Sequence, residues 1–331
     1  MEPSSVSDLV ERLGTYERRE EQSGAREGRP LRILALDGGG IRGLIPARVL
    51  ATLEEMTGRP IAECFDLVAG TSTGGILTLG LTVPGPDRRP LWTAAQLVDL
   101  YRDDGRKIFP RSFLRELGSF LWAKYSPKGL ERELAEKLED AKLGDALVEV
   151  LVTSWDLTTD APRFFSSLTD ADLLMRDVAR ATSAAPTYFP PKWLADDALV
   201  DGGVVANDPA MLAWLAKRDV ANPQRPMVLV SLGTGAAKSP PPSGRRMWGL
   251  LPWARPIIDL LLAAPSTLVE HLLHDAAGHS GLEYFRLQPD ISGASPRLDD
   301  VDRANIAALG RAADRLIEDR REDLRRIAGL V

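Results

Sequence analysis

Short apolar runs alternate with helical periods from Leu31 onward, and three of these runs end in glycine turns. LRILALD (31–37) runs into a triple glycine, CFDLVAG (64–70) into TSTGG, and ALVD (198–201) into a glycine pair. A short apolar run closed by glycine reads as a buried strand feeding a tight turn. Leu44–Met56 then places Leu44, Ala47, Val49, Leu50 and Leu53 at helical spacing. Further strands are predicted over 148–157, 162–168, 227–235 and 282–288. Helices are predicted over 93–105, 129–140, 173–183, 209–217, 257–277 and 301–327. Strands alternating with helices in this way predict one α/β domain over 31–331, built on a mostly parallel sheet. Residues 1–30 read as a polar, flexible lead-in, and the Pro-, Gly- and Trp-rich stretch 238–256 as a surface loop.

Charge and composition narrow the function class. A formal net charge of −6 argues against nucleic acid as a partner, because such proteins carry a basic face. The single cysteine, Cys64, excludes an internal disulfide and a cysteine-rich zinc site, and its apolar setting reads as packing. No metal or cofactor is expected. The N-terminal stretch lacks the apolar segment of a signal peptide, and no apolar run reaches the roughly 20 residues of a spanning helix. The expectation is a cytoplasmic protein, with peripheral membrane contact left open.

The second turn sets Ser72 within G-x-S-x-G, as Gly70-Thr71-Ser72-Thr73-Gly74. A serine at the apex of a strand-to-helix turn points its hydroxyl outward, and the helix N-terminus stabilises developing negative charge. The alternative is an ordinary helix N-cap. In the third turn Asp201 ends a strand before Gly202 and Gly203; alone it is a turn aspartate, beside a serine it is a candidate base. The three histidines, His271, His274 and His279, share one stretch. The order Ser72, Asp201, His271 suits a hydrolase triad, but an apolar helical run is an ordinary place for packed or solvated histidine.

The first turn, Gly38-Gly39-Gly40-Ile41-Arg42-Gly43, spells the dinucleotide fingerprint G-x-G-x-x-G. That fingerprint requires an acid at the end of the next strand, which here ends in Ala69-Gly70. Without G-K-[ST] it is no P-loop either. What remains is a run of glycine amides able to converge on an oxyanion.

Taken together, DGGGIRG (37–43), GTSTGG (70–75) and DGG (201–203) closely resemble the signature set of the patatin-like phospholipase family. Weaker similarity runs through KYSPKGLERELAEKL (124–138), ATSAAPTYFPP (181–191) and VLVSLGTG (228–235). The resemblance implies a three-layer α/β/α fold and a Ser72–Asp201 dyad without histidine. It implies oxyanion donors at Gly38, Gly39, Gly40 and Thr73, with Asp37, Arg42, Gly43, Gly70, Gly74, Gly202 and Gly203 in support. Arg42 has two readings, charge stabilisation or anchoring of its own loop.

The implied activity is A-type hydrolysis of phospholipid acyl esters through an acyl-serine. The alternatives are a soluble serine esterase or thioesterase, and a signal-activated effector. Some bacterial family members degrade membranes in nucleotide-signalled antiphage defence; a cyclic-nucleotide activator is analogy alone, since no residue here marks a nucleotide site. Trp248 and Trp253 are candidates for contact with a lipid surface.

Overall fold

The computed structural model describes residues 29–109, 123–218, 225–236 and 256–331. In chain order the strands are β1 (Leu31–Leu36), β2 (Leu67–Gly70), β3 (Glu149–Asp156), β4 (Ala161–Ser166), β5 (Lys192–Leu194), β6 (Asp197–Asp201), β7 (Met227–Leu232) and β8 (Leu282–Leu287). The principal helices are α1 (Leu44–Thr57), α2 (Thr73–Thr82), α3 (Ala94–Arg102), α4 (Lys128–Leu138), α5 (Met175–Thr182), α6 (Ala210–Lys217), α7 (Pro256–Ala277), α8 (Arg303–Asp319) and α9 (Arg321–Leu330).

All eight strands form one mixed sheet, ordered β5-β6-β3-β2-β1-β7-β8, with β4 also on β3. Its centre, from β3 to β8, is parallel, while β4, β5 and β6 are antiparallel to their neighbours. Buried parallel strands carry apolar residues on both faces. In β1, Leu34 and Leu36 pack with Leu50, Leu53, Leu309 and Ile327 of α1, α8 and α9. The alternate residues Leu31, Ile33 and Ala35 pack with Ala213 of α6 and Leu273 of α7 on the other face. Period-two alternation in a single strand thus builds both helical layers.

The register around β3 prepares the site. Leu151 and Val152 pair with β2 and β4 at once, so these two strands lie on opposite edges of β3. Ser154–Asp156 pair with β4 and β6 at once, which puts β6 on the same edge as β2. Gly70 ends β2 opposite Val152, and Asp201 ends β6 opposite Ser154. Two strands running toward each other therefore stop two residues apart along one edge of β3.

Two local expectations need correction, and one strand was not anticipated. CFDLVAG is strand only from Leu67; Ile61–Cys64 is a single helical turn, entered from extended Pro60. Cys64 is fully buried there and holds only a long Sγ contact of 3.7 Å with the Thr57 hydroxyl. The helix expected over 301–327 is two, α8 and α9, broken at Arg320, whose guanidinium reaches back to the Arg286 carbonyl at 3.2 Å. Lys192–Leu194 forms edge strand β5, which is too short to show a period.

Among the described residues, no helix is long and apolar enough to cross a membrane, and no cluster of metal-binding side chains occurs. Residues 1–28 and the stretch holding Trp248 and Trp253 lie outside the described residues.

Candidate active site

At the end of β2 the chain turns sharply into α2 through Ser72, whose φ of 53° and ψ of −120° are unusual for a residue with a side chain. The strain is held by packing. Gly74 lies against the Leu36 carbonyl, where a Cβ would collide, so only glycine lets α2 start this close to β1. The Thr71 hydroxyl bonds the Thr153 hydroxyl at 2.7 Å and the Ala206 carbonyl at 2.6 Å, fastening the turn to β3 and to the helical turn Gly203–Ala206. The Ser72 amide donates to the Thr182 hydroxyl at 2.8 Å. Ser72 sits at the N-cap position without capping the helix.

Its hydroxyl instead donates to Asp201 Oδ2 at 2.6 Å. The other carboxylate oxygen, Oδ1, accepts the Gly203 amide at 2.7 Å. Asp201 is buried, and burial pushes its pKa up to about 6 against the opposing pull of the Ser72 hydroxyl and the Gly203 amide. At neutral pH it is an ionised acceptor desolvated enough to be a better base than a free aspartate.

Gly39, Gly40 and Thr73 line the cavity above this pair, and Gly38 does not. The Gly38 amide is already committed to the Asn207 carbonyl at 3.0 Å, which corrects its expected place among the oxyanion donors. The Gly38 carbonyl accepts from the Thr234 hydroxyl at 2.7 Å, and the Gly39 carbonyl from the Arg42 amide at 3.2 Å and Nε at 3.3 Å. In a trans peptide the N–H points opposite the C=O. These anchors therefore turn the Gly39 and Gly40 amides away from Thr234 and Arg42. Neither amide has an acceptor among the described residues, and the Thr73 amide, at the first position of α2, has none within its helix.

Of the two readings of Arg42, the geometry supports loop anchoring. Gly40 holds a φ of +57°, and a Cβ there would meet the Leu298 carbonyl. On the expectation that the Gly40 amide is an oxyanion donor, Gly40→Ala should displace the loop and lower kcat by about 10²- to 10³-fold, the typical loss of one such donor. Turnover of a soluble ester, beside an unchanged circular dichroism spectrum, checks this.

The remaining expected residues frame the site. Gly43 closes the turn Gly40–Gly43 against Thr73 and Tyr101, and Gly70 ends β2. The Gly202 amide bonds the Thr182 carbonyl at 3.3 Å. Asp37 lies behind the loop, gripped by Arg286 through two bonds of 2.8 and 2.6 Å. Arg286 also reaches Ser231 at 2.7 Å and buried Asp208 at 3.4 Å. Burial raises Asp37 to about 7 despite Arg286, and burial raises Asp208 as well.

Removing one partner of such a buried network strands the others. Arg286→Met is expected to cost about 3–5 kcal/mol at pH 7.5. Part of that loss should return at pH 5, where Asp37 takes up a proton; urea unfolding at the two pH values measures both.

His271 is exposed and turns Nδ1 to its own helix, at the Thr267 carbonyl 2.7 Å away. No histidine lines the cavity. Sequence reasoning missed Thr182, which ties both motifs together, and Asn207, which holds Gly38. The nearest signals were the stretch 181–191 and the position of Asn207 shortly after DGG.

The cavity above the dyad measures about 350 Å³ and is walled by Ile76, Leu100, Ile108, Phe109, Leu130 and Phe189, among others. The family model for patatin-like phospholipase matches residues 34–214, which span this loop, both turns and the cavity wall. The chain belongs to the patatin-like phospholipase family. Patatin-like protein 2 of Arabidopsis thaliana is 35% identical over 88% of this chain and 84% of its own length. The probable inactive patatin-3-Kuras 1 of Solanum tuberosum is 34% identical over 88% and 87%. Of solved structures, VipD from Legionella pneumophila is a more distant likeness, at 12% identity and a TM-score of 0.38 over 87% of this chain and 67% of that one. As a patatin-like chain, this one has its signature motifs gathered around a single apolar cavity.

Proposed function

We propose that the protein is a lipid acyl hydrolase of phospholipase A type, with Ser72 as nucleophile and Asp201 as its base. The observation that carries this reading is the Ser72 hydroxyl donating to a buried carboxylate at 2.6 Å on the floor of an apolar cavity. One relative is named as probably inactive, so the activity is argued from this pair and not from kinship alone.

Ser72 Oγ attacks the ester carbonyl carbon while its proton passes to Asp201 Oδ2. The carbonyl oxygen becomes an oxyanion held by the amides of Gly39, Gly40 and Thr73. Each such donor contributes roughly 2.7–4 kcal/mol in the transition state. As the tetrahedral intermediate collapses, the C–O bond breaks and Asp201 returns the proton to the departing alcohol, a lysophospholipid. Water then attacks the acyl-serine, giving its proton to Asp201, and a second collapse releases fatty acid and restores Ser72. Because Asp201 lies buried without a cation beside it among the described residues, its charge is free to follow the proton.

Incubation with mixed phospholipids, read by mass spectrometry, tests the reading. Lysolipid and free fatty acid should accumulate with the wild type and not with Ser72→Ala. Hydrolysis of short soluble esters with no lipid product would instead indicate a non-lipid esterase.

A further inference from the structure

Behind the reaction cavity lies a second, small void of about 10 Å³, room for about one methyl group, and the atoms that face it are carbon. An apolar space of this size stays dry. Four residues, Ile76, Leu100, Ile108 and Leu130, line both spaces, so their side chains are the wall between them. Gly80, Leu97, Glu133, Leu134, Lys137 and Leu138 line only the inner one, the two charged residues with their chain carbons.

Two helix faces run through that wall. On α2, Ser72, Ile76 and Gly80 follow at intervals of four, which puts them on one stripe leading inward from the nucleophile. On α4, Leu130, Leu134 and Leu138 follow at the same interval. The first rung of each ladder after the nucleophile, Ile76 and Leu130, faces both spaces; the later rungs face only the inner void. From Ser72 to Gly80 the helix rises about 12 Å. Gly80 packs closely at the far end: a Cβ there would sit 3.1 Å from both Leu97 methyls, so an alanine presses on the lining of the void. The shared wall contains no hydrogen bond or ion pair to break, only aliphatic side chains free to change rotamer.

We infer that Ile76, Leu100, Ile108 and Leu130 form a displaceable wall that sets acyl chain length, and that the void along Gly80, Leu97 and Leu134 receives the end of a long chain. This rests on the acyl-hydrolase reading. A short acyl group fits in front of the wall, whereas a long one pushes the wall aside and extends along α2. Each methylene that the displaced wall admits is worth roughly fourfold in kcat/KM, and the inner void itself adds room for about one before the chain meets Leu134 and Leu138.

The test is kcat/KM on p-nitrophenyl esters from butyrate to palmitate, for the wild type and three variants. Leu130→Ala opens the wall and should move the optimum to longer chains by several carbons. Leu134→Phe and Gly80→Ala fill the inner void; the dodecanoate-to-butyrate ratio should fall at least tenfold in the first and less in the second. Melting temperatures identify a variant that fails to fold, and the ratio is read from those that do. A chain-length profile that keeps its shape in the folded variants, or moves equally at every length, would overturn the tunnel. Absence of ester hydrolysis at all lengths would overturn the hydrolase reading instead. The tunnel would then be read directly, as length-dependent binding of free fatty acids to the same variants by calorimetry.

Discussion

Ser72→Ala loses esterase activity by a factor on the order of 10⁴ or more, and loses labelling by a fluorophosphonate probe completely. The size of the effect follows from what the hydroxyl does. It is the bond-forming atom of the proposed acyl-enzyme, and the neighbouring hydroxyls are engaged elsewhere: Ser183, which also lines the cavity, donates to the Ala179 carbonyl at 2.6 Å. Thr71 is tied to Thr153 and Ala206, and Thr73 bonds the Tyr101 hydroxyl at 2.7 Å. The fold should tolerate the change well, because Ser72 accepts its strained backbone without a side-chain cap. Loss of labelling with an unaltered melting temperature is the expected pairing. Labelling retained in the variant would place the nucleophile elsewhere.

Asp201→Asn should cost about 10⁴-fold in kcat, the loss typical of disabling the acid–base partner of a serine. In the wild type, burial raises Asp201 to about 6, so the base is present above that pH and neutralised below it. The expected kcat/KM profile rises about tenfold per pH unit up to about pH 6 and then levels.

Stability runs the other way. Asp37 and Asp201 are raised to about 7 and about 6 from an ordinary 3.8, so the folded chain keeps protons that the unfolded chain releases. Their contribution to stability is complete below about pH 4 and is lost as pH rises through 6 and 7. Activity therefore grows over the same interval in which these two groups destabilise the fold. Asp201→Asn removes one of them, so its melting temperature at pH 8 should equal or exceed that of the wild type. An activity profile flat from pH 4 to 8, or an Asp201→Asn enzyme with full turnover, would remove Asp201 from the role of base.

Much of the architecture was legible because it rests on short-range pattern. Buried strands of six residues, such as LRILAL, show themselves through apolar continuity, and α1 through helical spacing. Alone, Ser72 and Asp201 each read as part of a glycine turn at a strand end; their pairing was legible only through the family resemblance. The fate of individual amides was not. Gly38, Gly39 and Gly40 look alike in sequence, yet only the first is bound by Asn207, a residue far along the chain. Thr182 and Arg286 were hidden for the same reason: each is a polar residue whose meaning comes from a neighbour more than one hundred positions away. The strand expected from Cys64 failed for a local reason. Extended Pro60 starts a helical turn that uses up the front of the apolar run.

The meeting of β2 and β6 along one edge of β3 makes that strand a ruler. Only Thr153 separates the residue opposite Gly70 from the residue opposite Asp201. A one-residue insertion beside Thr153 would leave both motifs letter-perfect, yet slide β6 by one pleat and turn the Asp201 carboxylate to the other face of the sheet. In chains of this kind, intact motifs do not certify a working pair; the length of the strand between them must be counted as well.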